Sequence, residues 1–180
     1  MARAVVLGIG NILLQDEGIG VRVVEALQQH YQIDPAVEVV DGGTKGYELI
    51  PFLEVEHVLV VDAVEADAQP GTIVCLRNDA VPRFLGQRLS PHQIGLADLL
   101  SIALLRGLDP DETVLIGVQP DALDVGIDLS PTIEAQLPHL VDLVVEQLQQ
   151  WGYSVTPRTA AGPLPRALAA YAHIEAAVYA

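Results

Sequence analysis

Leu7-Gly8-Ile9-Gly10-Asn11-Ile12-Leu13-Leu14-Gln15-Asp16-Glu17-Gly18-Ile19-Gly20 is the stretch from which the rest of the chain is read. The apolar, largely β-branched run Ala4-Val5-Val6-Leu7 enters it as a buried strand enters a tight turn, and Gly8-x-Gly10-Asn11 supplies the turn. The acidic pair Asp16-Glu17 follows, and a helical pattern begins after it. A carboxylate is thereby delivered to the mouth of an α/β sheet, where such folds place their ligands. Two common phosphate loops are excluded. A dinucleotide fingerprint needs a third glycine where Leu13 stands, and a Walker loop needs Lys-Ser/Thr after the glycines. What remains is a glycine turn presenting an acid, and acids bind metals or move protons.

Working outward, the 180 residues correspond to one domain by length, and a 51% hydrophobic composition argues against disorder. No apolar run approaches the ~18 residues of a membrane span, so none is expected. No basic-then-apolar leader opens the chain, so no secretory signal is expected either. Cys75 is the only cysteine, which excludes an intramolecular disulfide and fits a reducing, cytoplasmic setting. It lies in Thr72-Ile73-Val74-Cys75-Leu76 and reads as a packed strand residue rather than a nucleophile. A net charge of −15 argues against a nucleic-acid partner.

Strand and helix patterns alternate, as in a largely parallel sheet covered on both faces. Strands are expected at Ala4–Leu7, Val37–Val40, Val58–Val61, Thr72–Leu76 and Val114–Val118, and helices at Ile19–Tyr31, Tyr47–Leu53, His92–Leu105 and Pro131–Trp151. The connection from Ala63 to Gly71 is too short for a parallel crossover, so antiparallel pairing is expected there and the sheet is mixed. Ser90-Pro91-His92-Gln93 and Ser130-Pro131 read as capped helix starts. Beyond Trp151-Gly152 the composition changes. The expected domain covers residues 1–156, and 157–180 reads as an appended tail, proline-rich at first and then alanine-rich and partly helical.

Three acids arrive at one sheet edge in this reading. Asp62 follows the apolar strand His57–Val61, Asp41 follows Val37–Val40 and precedes Gly42-Gly43-Thr44, and Glu17 follows the first turn. Taken singly, each aspartate is also what a turn or helix cap requires. His92, in the first turn of its helix, is disfavoured as an imidazolium, and a neutral imidazole is a metal ligand. It is equally what a surface helix start would carry. The other histidines, His30, His57, His139 and His173, read as surface or structural. Glu17, Asp62 and His92 together offer two oxygens and a nitrogen, which suits a borderline ion such as nickel or zinc with positions left open. No His-Glu-x-x-His, Gly-x-Ser-x-Gly or Asp-Thr/Ser-Gly signature is present.

The ordered set Gly8-x-Gly10-Asn11, Asp16-Glu17-Gly18-x-Gly20, Asp41-Gly42-Gly43-Thr44, Asp62-Ala63 and Ser90-Pro91-His92-Gln93 with Gly95-Leu96 resembles the nickel-iron hydrogenase maturation endopeptidases. Gly117-Val118-Gln119-Pro120 and Leu129-Ser130-Pro131-Thr132 fall in order too, and the resemblance runs from residue 3 to about 157. It implies a three-layer α/β/α fold, phosphorylase/hydrolase-like, around a five-stranded mixed sheet of order 2-1-3-5-4 with strand 4 antiparallel. It also implies an endopeptidase that removes the carboxy-terminal extension of the hydrogenase large-subunit precursor after nickel insertion. By the same resemblance Glu17, Asp62 and His92 hold the metal. Asp41, with Glu17 and Asp62, is assigned to cleavage, and Gly42, Gly43 and Thr44 to substrate. The nickel is expected to come with the substrate, with zinc or cadmium able to substitute, and the protein is expected to act as a monomer. Two other readings use the same residues: a non-catalytic nickel-binding checkpoint or chaperone for that subunit, and a small-molecule hydrolase on a related fold.

Overall fold

The computed structural model describes residues 3–86, 91–158 and 173–175, with side chains for all of these except 91–97 and 173–175. In chain order the elements are β1 (Ala4–Ile9), a 3₁₀ turn (Gln15–Gly18), α1 (Ile19–His30), β2 (Tyr31–Ile33), β3 (Val37–Gly43), a second 3₁₀ segment (Gly46–Leu53), β4 (His57–Ala63), β5 (Ile73–Arg77), α2 (Ala80–Gly86), α3 (Pro91–Leu105), β6 (Glu112–Val118), α4 (Pro131–Gln150), β7 (Val155–Pro157) and β8 (His173–Glu175).

The main sheet runs β3-β1-β4-β6-β5-β8. Without β8 this is the 2-1-3-5-4 order, with β3, β1, β4 and β6 parallel and β5 antiparallel to β6. The short link from Ala63 to Ile73 does reverse the chain, but β5 pairs with β6, which sits between it and β4. Buried β-branched residues fill both faces of the central strands, as a doubly covered sheet requires. On one face Val6, Leu59, Val61 and Ile116 pack with Val23 and Leu27 of α1 and Leu140 and Val144 of α4. On the other, Val5, Leu7, Val58, Val60 and Leu115 pack with Leu49, Val81, Leu85, Leu99 and Ala103. These are the three layers.

One local expectation is corrected, and three short elements are added. Tyr47–Leu53 belongs to a 3₁₀ segment rather than an α-helix, and Pro51 within it removes an amide donor. The short helix α2 and the two-stranded ribbon β2-β7 carry too few residues for a periodic pattern. In the tail, the described residues His173–Glu175 form a strand parallel to β5. The rest of the tail, 159–172 and 176–180, lies outside the described residues, as does the Ser90 cap. The other expected cap is present: Ser130 Oγ accepts from Ile133 N at 3.3 Å, with Pro131 in the first turn.

The amino edge of the sheet is closed by side chains. Arg3 grips Glu56 with Nε and Nη2, the latter at 2.7 Å, and Arg77 pairs with Glu112 while reaching Gln147 at 2.7 Å. The indole of Trp151 donates to Glu112 at 2.6 Å and stacks on His57, ring centres 4.7 Å apart. His57 Nδ1 shares a 2.9 Å hydrogen bond with the Tyr153 hydroxyl.

Candidate active site

The carboxyl edge is built by close approach. At Gly20 an added Cβ would stand 2.2 Å from the Val61 carbonyl oxygen and 2.3 Å from that of Ile9, so only glycine lets α1 begin directly on β1 and β4. At Gly10, φ is +134° and a Cβ would stand 1.7 Å from the Glu17 carbonyl oxygen. These contacts seat the Gln15–Gly18 turn on the end of β1 and against β4. Glu17 is half-buried in that turn. Asp62, fully buried, is the next-to-last residue of β4, opposite Gly117 of β6.

Asp16 is also fully buried, and its role is different from that of its neighbour. Its carboxylate accepts from Asp121 N at 3.0 Å, Ala122 N at 2.8 Å, Ser130 N at 2.7 Å and Ser130 Oγ at 2.8 Å. All four donors are uncharged, so the negative charge is held by hydrogen bonds rather than neutralised. In the sequence Asp16-Glu17 stands as one acidic pair. The signal that separates them is the Ser130-Pro131 cap, whose serine needs a second partner.

Asp41 reaches the same edge but not the same face. It stands opposite Gly8 in register, and Gly8 stands opposite Val61, so Asp41 and Asp62 lie two strand spacings apart, about 10 Å. Along β3, Val37 and Val39 belong to the α1 side of the sheet, and Asp41 follows their alternation. Along β4, Val58 and Val60 belong to the opposite side, and Asp62 follows theirs. The three acids expected together therefore split: Glu17 and Asp62 lie where the first turn meets β4, and Asp41 is exposed beyond β1. Gly42 is buried against Ile9 and Leu49, Gly43 has φ +46°, and Thr44 is exposed. Lys45 donates from Nζ to the Asp41 carbonyl.

The helix α3 covers the Asp62 face, through Leu99, Leu100 and Ala103. Its last turns line a cavity of about 360 Å³ together with Val58 and Thr113, at the starts of β4 and β6. A helix of 15 residues spans about 22 Å. Its first turn carries His92. The His92 side chain lies outside the described residues. Among the described residues no three His, Cys, Asp or Glu side chains converge as metal ligands would. No helix among them is long and apolar enough to cross a membrane.

Known proteins match this chain closely. A family model described as hydrogenase maturation protease matches residues 21–147, a span that contains Asp41, Asp62 and His92 and begins just after Glu17. The hydrogenase 2 maturation protease of Escherichia coli K12 is 43% identical over 160 residues, covering 88% of this chain and 98% of its own. The hydrogenase expression/formation protein HupD of Rhodobacter capsulatus is 43% identical over 157 residues, 86% of this chain and 75% of its own. Among solved structures, the hydrogenase maturating endopeptidase HybD from E. coli superposes with a TM-score of 0.84 at 43% identity over 88% of this chain and 99% of its own. The maturation protease HybD from Thermococcus kodakarensis does so with 0.67 at 25% identity, over 81% of this chain and 98% of its own. Sequence and fold agree: the chain belongs to the hydrogenase maturation proteases, a family of endopeptidases.

Proposed function

We propose that this protein cuts the carboxy-terminal extension from a nickel-iron hydrogenase large-subunit precursor once nickel has been inserted. One observation carries the reading. A glycine-enabled turn sets the half-buried Glu17 beside the end of β4, where Asp62 is fully buried. Two carboxylates suit a divalent ion, and His92, in the first turn of α3 on the Asp62 face, is the third ligand of the proposal. With no thiolate among them, the three hold a metal less firmly than cysteines do, so nickel arrives on the substrate and the protease completes its coordination. Glu17, Asp62 and His92 would hold the nickel beside the scissile bond, where it would supply Lewis-acid polarisation of the carbonyl. Zinc or cadmium substitutes for nickel in the isolated site. Asp41, one strand beyond β1 with Gly42, Gly43 and Thr44, orients the substrate chain or a water rather than ligating the ion. The protein works as a monomer in the cytoplasm, a reading supported by its lone cysteine, Cys75, in β5.

The test has two arms, each read by the mass of the products. Chelator-stripped protein cuts nickel-loaded precursor and releases one carboxy-terminal peptide. Nickel-loaded protein leaves metal-free precursor intact when that precursor's own site is blocked. Stripped protein that stays inert until a metal is returned to it alone would show an ordinary metallopeptidase instead.

A further inference from the structure

Five large apolar side chains stand in water beside the candidate site, on two adjoining loops: Ile12 and Leu13 at 39% and 58% exposure, and Leu123, Val125 and Ile127 at 51%, 89% and 62%. The loops are stitched together. Gly126 N donates to the Leu13 carbonyl and Gln15 N to the Gly126 carbonyl, both at 2.9 Å, and Leu14 and Gly126 form a parallel bridge. The second loop is fixed at both ends by the buried Asp16 carboxylate, through Asp121 and Ala122 on one side and Ser130 on the other. Arg22 adds a 3.2 Å bond to the Ile127 carbonyl. The apolar edge is therefore held in place, not left over from a slack loop. Soluble proteins keep such groups of exposed apolar residues for binding.

We propose that this edge seats an apolar segment of the polypeptide substrate, next to the bond that is cut. The proposal rests on the reading of the chain as a processing endopeptidase. Continuity names the occupant. Leu13 lies four residues before Glu17 in one short segment, so a peptide lying across Leu13, Leu123 and Val125 passes beside the turn that carries Glu17. Every second residue from Leu123 to Ile127 is apolar, with Asp121, Asp124 and Asp128 around them, in a chain of net charge −15. An acidic segment would be repelled there, so the seated segment is apolar with neutral or basic residues beside it. Contacts of this kind exclude water around the reacting bond and hold the chain in register, which changes substrate binding more than the chemical step.

Leu123→Ser, Val125→Ser and Ile127→Ser, combined in one full-length variant, test the proposal. The three positions are exposed, so the variant melts with the wild type. Its KM for nickel-loaded precursor is expected to rise about tenfold or more, with kcat within about twofold. Leu104→Ser with Leu105→Ser, which removes an equally exposed apolar pair on α3, leaves KM unchanged. Precursor binding to the immobilised proteins is measured beside cleavage. Wild-type protein that binds but does not cut refutes the peptidase reading, and the surface is then judged by the variant's loss of binding. An unchanged KM and unchanged binding in the triple variant overturn the proposal. So does light scattering that finds a wild-type dimer which the same substitutions dissociate, because the edge would then cover a second copy of the chain. Failure of wild-type protein to bind precursor at all overturns both.

Discussion

The two edges of the sheet handle charge in opposite ways. At the amino edge, Glu56 and Glu112 are each met by an arginine, and aromatic rings close over the rest. Burial raises the proton affinity of Glu112, but hydrogen bonds from Trp151 and Arg77 and the charges of Arg77 and His57 outweigh it and hold its carboxyl below the usual range. The hydrogen bond from Arg3 lowers the carboxyl of Glu56 likewise. At the carboxyl edge, Asp16 is met by amides and a hydroxyl, Arg22 turns to Glu25 and the Ile127 carbonyl, and Lys45 turns to the Asp41 carbonyl. The first arrangement meets carboxylates with cations, and the second meets the Asp16 carboxylate with uncharged donors. On the function proposed, the carboxyl edge is where a cation carried by the substrate would be received, and the amino edge serves the fold.

Four changes break or sharpen this contrast. The largest effect is expected from Asp62→Asn or Glu17→Gln. Cleavage of loaded precursor falls by about 100-fold or more, while melting moves little because shape is kept. Activity within about threefold of wild type in both variants would remove the carboxyl edge from the chemistry. Next is Gly10→Ala, which forces a Cβ onto the Glu17 carbonyl oxygen and strains a φ of +134°. It should cost about 3 kcal/mol or more in chemical denaturation and lower cleavage with it. At the other edge, Trp151→Phe removes the bond to Glu112 and should cost about 1–2 kcal/mol with kcat and KM unchanged. The same edge has a pH signature. The carboxyls of Glu112 and Glu56 are depressed from 4.5 in the fold, so their contribution is complete above that pH and is lost as pH falls through their folded values. Tyr153, raised above 10.0 by burial and by the nearby charge of Glu56, contributes below pH 10.0 and loses that contribution as pH rises through its folded value. Stability that falls no faster in acid for wild type than for Glu112→Gln would contradict this. The smallest effect is expected from ending the chain after Arg158. This strips β8 from β5, whose Ile73 end lies level with Val118 and Ala63 at the carboxyl edge. Cleavage should stay within about twofold, since HybD from E. coli is matched over 99% of its length by only 88% of this chain.

Much of this was legible before any coordinates. Apolar runs followed by Gly8, Asp41 and Asp62 mark strands and their carboxyl ends, because a doubly covered strand must be apolar until it leaves the core. Ser130-Pro131 announces α4 for an equally local reason. What stayed hidden depends on distant partners or on short elements. Asp16 and Glu17 are adjacent acids, and only donors more than a hundred positions away show that Asp16 ties the first turn to the Asp121–Ser130 loop. Val39-Val40 are both apolar, so alternation in β3 could not show that Asp41 faces away from Asp62. Pro51 disqualifies an α-helix over Tyr47–Leu53, yet the apolar spacing there still looked helical.

The span of the Asp16 contacts also sets an order of events. Its four hydrogen bonds join positions 105 to 114 residues apart. Such contacts are closed late, after the local elements that bring their ends together. On a ribosome the first turn emerges long before Ser130 does, and synthesis at about 5–20 residues per second leaves Asp16 waiting for its donors. Until β6 and the start of α4 have formed, Asp16 lacks its donors and the Leu123–Ile127 edge is not held in place. A nascent or partly unfolded chain is therefore a silent one, and the ability to cut appears only when the fold is complete.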